Sequence, residues 1–255
     1  MFPMEDAAGL RLQVIVAHPD DETFGCGSLL LHARSAGAVT AVCCATRGEA
    51  GEVTEGVEIP PGGVGELREG ELRAAAGLLG VKRIDLLDLL DSGMTGNAGP
   101  GTLMAAETSL VRSRILRAVE AFRPDVIVTL DGSDGHRDHA RVRDVTIGIA
   151  AERGVPVYLH CLARSVMQRW ADHMSREHAD SAYLTLGELG TPDERITHSV
   201  DTTKFWQQRW TAIRAHRSQT SPFEGLPEDL ARAFLCREHL AVVQEASVAG
   251  TLERP

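Results

Sequence analysis

The chain has 255 residues, 43% of them hydrophobic and 24% charged, with a net charge of −10. These values suit a folded α/β domain, exclude wholesale disorder, and set nucleic acid and anionic membrane surfaces aside as main partners. No apolar run approaches bilayer-spanning length, and the start MFPMEDAAGLRLQ lacks the basic and apolar stretches of a secretory signal, so a cytoplasmic protein is expected.

Residues 12–17, LQVIVA, form a short apolar run that predicts a strand buried on both faces. It stops at His18-Pro19. Residues 25–36 predict a helix with Leu29, Leu30 and Ala33 on one face and Gly37 as its stop. Residues 39–45, VTAVCCA, predict a second buried strand, which makes a βαβ unit with parallel strands. Residues 46–65 are rich in Gly, Glu and Pro and predict a long loop. A helix over 66–79, a strand over 83–89 and a glycine-rich loop over 91–101 follow. An amphipathic helix over 103–122 precedes Pro124, and residues 125–130, DVIVTL, predict a fourth buried strand. The segment DGSDGHRDH then leads into a helix over 140–152 and a fifth strand over 155–161.

Strands alternating with helices predict a doubly wound, mostly parallel sheet. From about residue 163 the alternation fades, although a helix is expected over 202–216. All three tryptophans, Trp170, Trp206 and Trp210, lie in this part. The expectation is one domain over 1–255. Residues 10–162 would form the core, and residues 163–255 would pack on it as a wall of the site. Cys26, Cys43, Cys44, Cys161 and Cys236 form no C-x-x-C pair, which argues against a disulfide framework and a cysteine-built zinc site.

In an open α/β sheet, ligands bind outside the carboxyl ends of the strands. Two polar clusters fall at such ends: His18-Pro19-Asp20-Asp21-Glu22, and His136-Arg137-Asp138-His139. If their strands are neighbours, both clusters open into one crevice. Together they offer two or three histidines and several carboxylates, the donor types of a catalytic zinc site with three protein ligands. Such a site takes zinc or ferrous iron. Metal-assisted hydrolysis also needs a base for the attacking water, a position that suits Asp20. It needs a group facing the developing oxyanion, which a protonated His136 would supply, with Asp138 orienting its ring. Plainer roles exist for each: Asp20 as a helix N-cap, Glu22 as electrostatic support for the turn, and Arg68 with Glu71 as an ion pair one helical turn apart.

The hexapeptide AHPDDE followed by TFGCG resembles the signature of the PIG-L/LmbE-like de-N-acetylase family. TRGEAG, LREGELRAAAGLLGV, GHRDH and AHRSQ resemble further motifs of that family, in the same order, over most of the chain. The resemblance implies a Rossmann-like fold and a zinc-dependent hydrolase in which metal-activated water removes an acetyl group from an amino sugar or related conjugate. An amidase cleaving a larger acyl or cysteinyl group is the alternative within the family.

By the resemblance His18, Asp21 and His139 bind zinc, Asp20 is the general base, and His136 is the acid or electrostatic stabiliser, supported by Asp138. Arg68 and Asp91 match substrate-contacting positions. One position departs from thiol-pathway relatives, which carry a tyrosine two residues before the first histidine of G-H-x-D-H; here it is Asp134. His216 lies in AHRSQ and is expected to pack or to support the site. His32, His160, His173, His178, His198 and His239 are expected to be structural. A dinucleotide-binding protein is disfavoured, because G-x-G-x-x-G is missing after the first strand and carboxylates occupy the turn. The intact set of site residues argues against a non-catalytic sugar-binding relative. The sequence expects a small N-acetylated partner and leaves oligomeric state open, homo-oligomers included.

Overall fold

The apolar runs become the centre of a seven-stranded sheet. A computed structural model describes residues 7–177, 184 and 187–243; residues 1–6 and His178 lie outside this range. The strands are β1 (Arg11–Val16), β2 (Val39–Thr46), β3 (Arg83–Leu89), β4 (Val126–Leu130), β5 (Val157–Cys161), β6 (His198–Asp201) and β7 (Arg237–Val242). Their order across the sheet is β3-β2-β1-β4-β5-β7-β6. The first five are parallel, and β7 pairs antiparallel with both β5 and β6.

Alternating residues of the central strands feed two cores. Leu12, Val14 and Val16 pack on one face with Leu29, Leu30 and Leu72. Ile15 packs on the other with Ile115, Ile127 and Ile149. The first face is covered by α2 (Gly27–Ser35) and α3 (Gly63–Leu79), the second by α4 (Thr108–Phe122) and α5 (Arg137–Arg153). The chain winds outward from β1 to β3 and then returns to β4 on β1's other side. The β1/β4 boundary is therefore the topological switch point, where such sheets open a crevice at their carboxyl ends.

Several boundaries differ from expectation. The helix expected over 25–36 begins two residues later, as α2, and a division at residues 25–26 separates it from a short preceding α1 (Asp21–Phe24). Gly25 lies at the division: a Cβ there would stand 2.8 Å from Asp21 O and from Leu130 Cδ2. α5 begins at Arg137 rather than 140, so the second polar cluster forms its first turn. α4 begins at Thr108 rather than 103.

The C-terminal part departs most. Besides α6 (Arg164–Glu177), α7 (Trp206–Ile213) and α8 (Glu228–Leu235), it supplies two strands to the sheet itself. Its polar sequence hides this, because β7 buries a charge. Glu238 is fully buried, receiving Arg209 NH1 at 2.5 Å and His160 Nε2–H at 2.6 Å. Arg209 also donates to Ser28 Oγ and to the carbonyls of Phe24 and Gly25, which ties α7 and β7 to the turn after β1. Arg209→Met would leave Glu238 without this partner. A loss of about 3–5 kcal/mol is expected, read as a lower urea midpoint at unchanged slope.

All five cysteines are free and buried. Among the described residues, no helix is long and apolar enough to cross a membrane.

Candidate active site

β1 ends into His18 and β4 ends into the loop before α5, so the switch point brings the two polar clusters together. His18 and His139 are 121 residues apart, yet His18 Nδ1 lies 3.2 Å from His139 Nε2. Asp21 Oδ1 is 3.2 Å from His139 Nε2, and Asp21 Oδ2 is 3.6 Å from His18 Nδ1. Tetrahedral ligands 2.0–2.1 Å from a zinc ion stand about 3.3 Å from one another. The three donors are spaced for such an ion.

The outer nitrogens of both rings explain which atoms face inward. His18 Nε2 lies 3.2 Å from Asp138 Oδ2 and 3.3 Å from Asp91 Oδ1. His139 Nδ1 lies 2.5 Å from Asp134 Oδ2. Carboxylates can only accept here, so each outer nitrogen is the N–H and each inner one carries the lone pair of a neutral ring. Two lone pairs and a carboxylate then share one point, an arrangement that calls for positive charge. Without a metal that charge comes from protons. Burial works against the His18 cation, but hydrogen bonds to Asp138 and Asp91 and the charge of Asp21 raise its pKa to about 9. Burial likewise opposes the His139 cation, and Asp21 with Asp134 raises it well above the usual range. Burial pushes Asp21 upward, but His139 and His18 hold it well below the ordinary carboxylate range.

Two further triples, His18/His136/His139 and His18/Asp91/Asp138, also bring donor atoms within 4.8 Å of one another. The described residues thus contain a cluster able to hold a metal. The second triple uses the His18 nitrogen already committed to two carboxylates.

Asp20 turns toward α3. Arg68 NH2 donates to Asp20 Oδ2 at 3.0 Å and to Pro19 O at 2.5 Å, and Arg68 NH1 donates to Gly48 O at 2.7 Å. Gly48, in TRGEAG, has φ 66° and leaves the space that the Arg68 guanidinium fills. Burial raises the Asp20 pKa to about 6 against the opposing pull of Arg68. The side chain does not cap α1, and Asp20 adopts φ 109°. Nor does Arg68 pair with Glu71, whose carboxylate takes Ser218 N and Oγ instead.

His136 and Asp138 meet differently from expectation. His136 N-caps α5: its Nδ1 accepts the Asp138 main-chain N–H at 3.2 Å, leaving Nε2 as the N–H nitrogen of a neutral ring. The Asp138 carboxylate points to His18 and to Ser92 N. Burial, followed by the cationic charge of His18 and His139, lowers the His136 pKa to about 4. This favours the neutral ring, whereas a protonated one is expected from the sequence. Asp134 serves His139, and its Oδ1 also accepts His136 N at 3.0 Å.

Arg68 and Asp91, matched to substrate-contacting positions, have side chains only 4% and 6% exposed. Sequence reasoning missed Arg137, which donates to the carbonyls of Ser92, Gly93, Thr95 and Gly96 and fixes the 91–101 loop beside the donors. It also missed Glu49, which accepts Asp91 N. The arginine inside GHRDH was the signal available for the first.

A family model described as PIG-L, GlcNAc-PI de-N-acetylase, matches residues 13–150, a span that holds every donor above. The chain belongs to the PIG-L family. Among PIG-L relatives, a 1D-myo-inositol 2-acetamido-2-deoxy-alpha-D-glucopyranoside deacetylase of Thermobifida fusca is 31% identical, covering 83% of this chain and 84% of its own. The fold is similar to N,N'-diacetylchitobiose deacetylase from Pyrococcus horikoshii, at TM-score 0.61 and 19% identity, over 93% of this chain and 85% of that one. It is as similar to GalB, the 4-carboxy-2-hydroxymuconate hydratase of Pseudomonas putida, at TM-score 0.60 and 18% identity, over 92% and 96%. The mostly parallel α/β fold of PIG-L proteins thus carries more than one chemistry, and function has to be argued from the site.

Asp134→Asn, which weakens the acceptor on His139, is expected to cost the metal site about 10–100-fold in affinity. Competition with a chromophoric chelator measures it.

Proposed function

We propose that this chain is a metal-dependent N-deacetylase acting on a small, sugar-containing N-acetylated substrate. The observation that carries the reading is the convergence of His18 Nδ1, Asp21 and His139 Nε2 beside a separately held Asp20. The family and the deacetylase relative support it.

His18, Asp21 and His139 are the residues that would hold the ion, zinc by donor type, with ferrous iron as the alternative. Zinc bound there supplies a Lewis acid for the amide carbonyl and for water. Asp20 takes the proton of the attacking water. Its pKa of about 6 leaves it ionised at neutral pH yet close enough to hold that proton. The proton then passes to the departing amine, so acetate and a free amine result. His136 donates from Nε2 to the carbonyl oxygen as charge develops, and a neutral donor suffices for this. Arg68 is assigned to aiming Asp20, and Asp91 and Asp138 to fixing the His18 ring. The substrate is assigned to the loop that Arg137 pins.

The test is acetate and amine release by metal-replete protein. Suitable substrates are N-acetylglucosamine, N,N'-diacetylchitobiose and 1D-myo-inositol 2-acetamido-2-deoxy-α-D-glucopyranoside. Equimolar acetate and amine from at least one is expected. Neither product from any of them would overturn the reading.

A further inference from the structure

Asp20 has φ 109° and ψ −32°, a conformation that a residue with a Cβ rarely adopts. Its carbonyl is already committed, accepting the N–H groups of Thr23 and Phe24 at 2.8 and 2.6 Å. Its own N–H donates to Glu22 Oε2 at 2.9 Å. The other oxygen of Glu22 accepts Thr23 Oγ1 at 2.5 Å and His216 Nε2–H at 2.9 Å. The side chains of Glu22 and His216 are both fully buried.

His216 arrives from 194 residues further along the chain, and Phe24 packs edge-on against its ring. Two residues later, Ser218 donates twice to Glu71 on α3, one turn beyond Arg68. The A-H-R-S-Q segment therefore touches both supports of Asp20: the main-chain support through Glu22, and the helix that carries the side-chain support, Arg68.

We propose that Glu22 and His216 are positioning residues that hold Asp20 in its strained turn, so that its carboxylate diverges from that of Asp21. Asp21 can then serve as a metal donor while its neighbour faces the reacting water. Strain of this kind persists only where surrounding contacts over-determine it. The proposal rests on Asp20 being the base.

The experiment compares His216→Ala, His216→Gln, Glu22→Gln and Asp20→Asn in the full-length, metal-replete chain. The probe is 1D-myo-inositol 2-acetamido-2-deoxy-α-D-glucopyranoside, read as kcat and KM, with metal content measured alongside. Exchange of the Asp20 amide is followed by NMR, with Thr23 as the internal standard. His216→Ala is expected to keep its metal and KM, to lose at least about tenfold in kcat, and to expose the Asp20 amide by a similar factor. His216→Gln, which restores an N–H toward Glu22, recovers both. Glu22→Gln falls in the same direction, which keeps the test decisive if His216→Ala fails to fold. Adding His216→Ala to Asp20→Asn lowers the residual rate no further, because both act through one group.

Wild-type kcat and an unchanged Asp20 amide in His216→Ala would overturn the proposal, as would loss of kcat only in step with loss of metal. Full kcat in Asp20→Asn would instead overturn the assignment of the base. The amide exchange would still report whether Glu22 and His216 hold the turn.

Discussion

Replacing His139 with alanine is expected to empty the metal centre and lower N-deacetylation by roughly 10³–10⁵-fold. Several kcal/mol of transition-state charge stabilisation are lost with the ion, and each 1.4 kcal/mol is tenfold. Metal analysis after dialysis and the amine-release rate check both halves. His136→Ala is the control, since its ring stacks on His139 with centroids 4.8 Å apart and belongs to one of the alternative donor triples. It should keep its metal. Loss of metal from His136→Ala with retention in His139→Ala would reassign the site.

The same cluster predicts how the metal-free protein responds to pH. The His18 pKa is raised to about 9 in the folded chain and that of His139 lies well above its usual value. The stability these cations contribute is fully present below about pH 6.5 and is lost as pH rises through the folded values. The melting temperature of the apo protein should therefore fall between about pH 6.5 and 9. The metal-loaded protein should show little of this fall, because the ion replaces the protons. A flat apo profile would mean that the inner nitrogens do not face one another as described.

Asp20→Asn carries the second large effect. It removes the proposed proton acceptor but none of the three proposed metal donors, so kcat should drop by about 10²–10⁴-fold with metal content intact. The pH profile supplies an independent check. As the proposed base, Asp20 works ionised, and burial raises its pKa to about 6. A cation held beside it favours the ionised form, so the rising limb of kcat/KM should lie at or below about pH 6. That limb should be absent from Asp20→Asn. A limb near pH 8 would point to a different base.

Much of this centre was legible because its parts are local. AHPDDE and GHRDH each put several chemically competent groups within a few residues at a strand end, and buried parallel strands are easily seen in LQVIVA and DVIVTL. The adjacency of β1 and β4 was conditional on topology, and the structure supplies it. What stayed hidden depends on long-range direction. Nothing in D-H-A-R places the Asp138 carboxylate on His18 rather than His136; that follows from the start of α5 and its docking against the crevice. The antiparallel strands β6 and β7 were missed because Glu238 and His239 look like surface residues, whereas the partners that permit burial of Glu238, Arg209 and His160, are remote. Arg68 matched a substrate-binding pattern, yet it is enclosed by Gly48, Pro19 and Asp20.

The separation of His18 from His139 by 121 residues has a consequence for biosynthesis. A nascent chain that has emerged only through β3 carries two of the three donors but no third, so the ion finds no complete chelate until β4 and the start of α5 have docked against β1. On the proposed ligand assignment, metal capture would thereby be confined to a late stage of folding. Once captured, the ion would add a stabilising increment that grows with free metal concentration, about 4 kcal/mol at a thousandfold excess over Kd. Loading would thus act as a latch on the completed sheet.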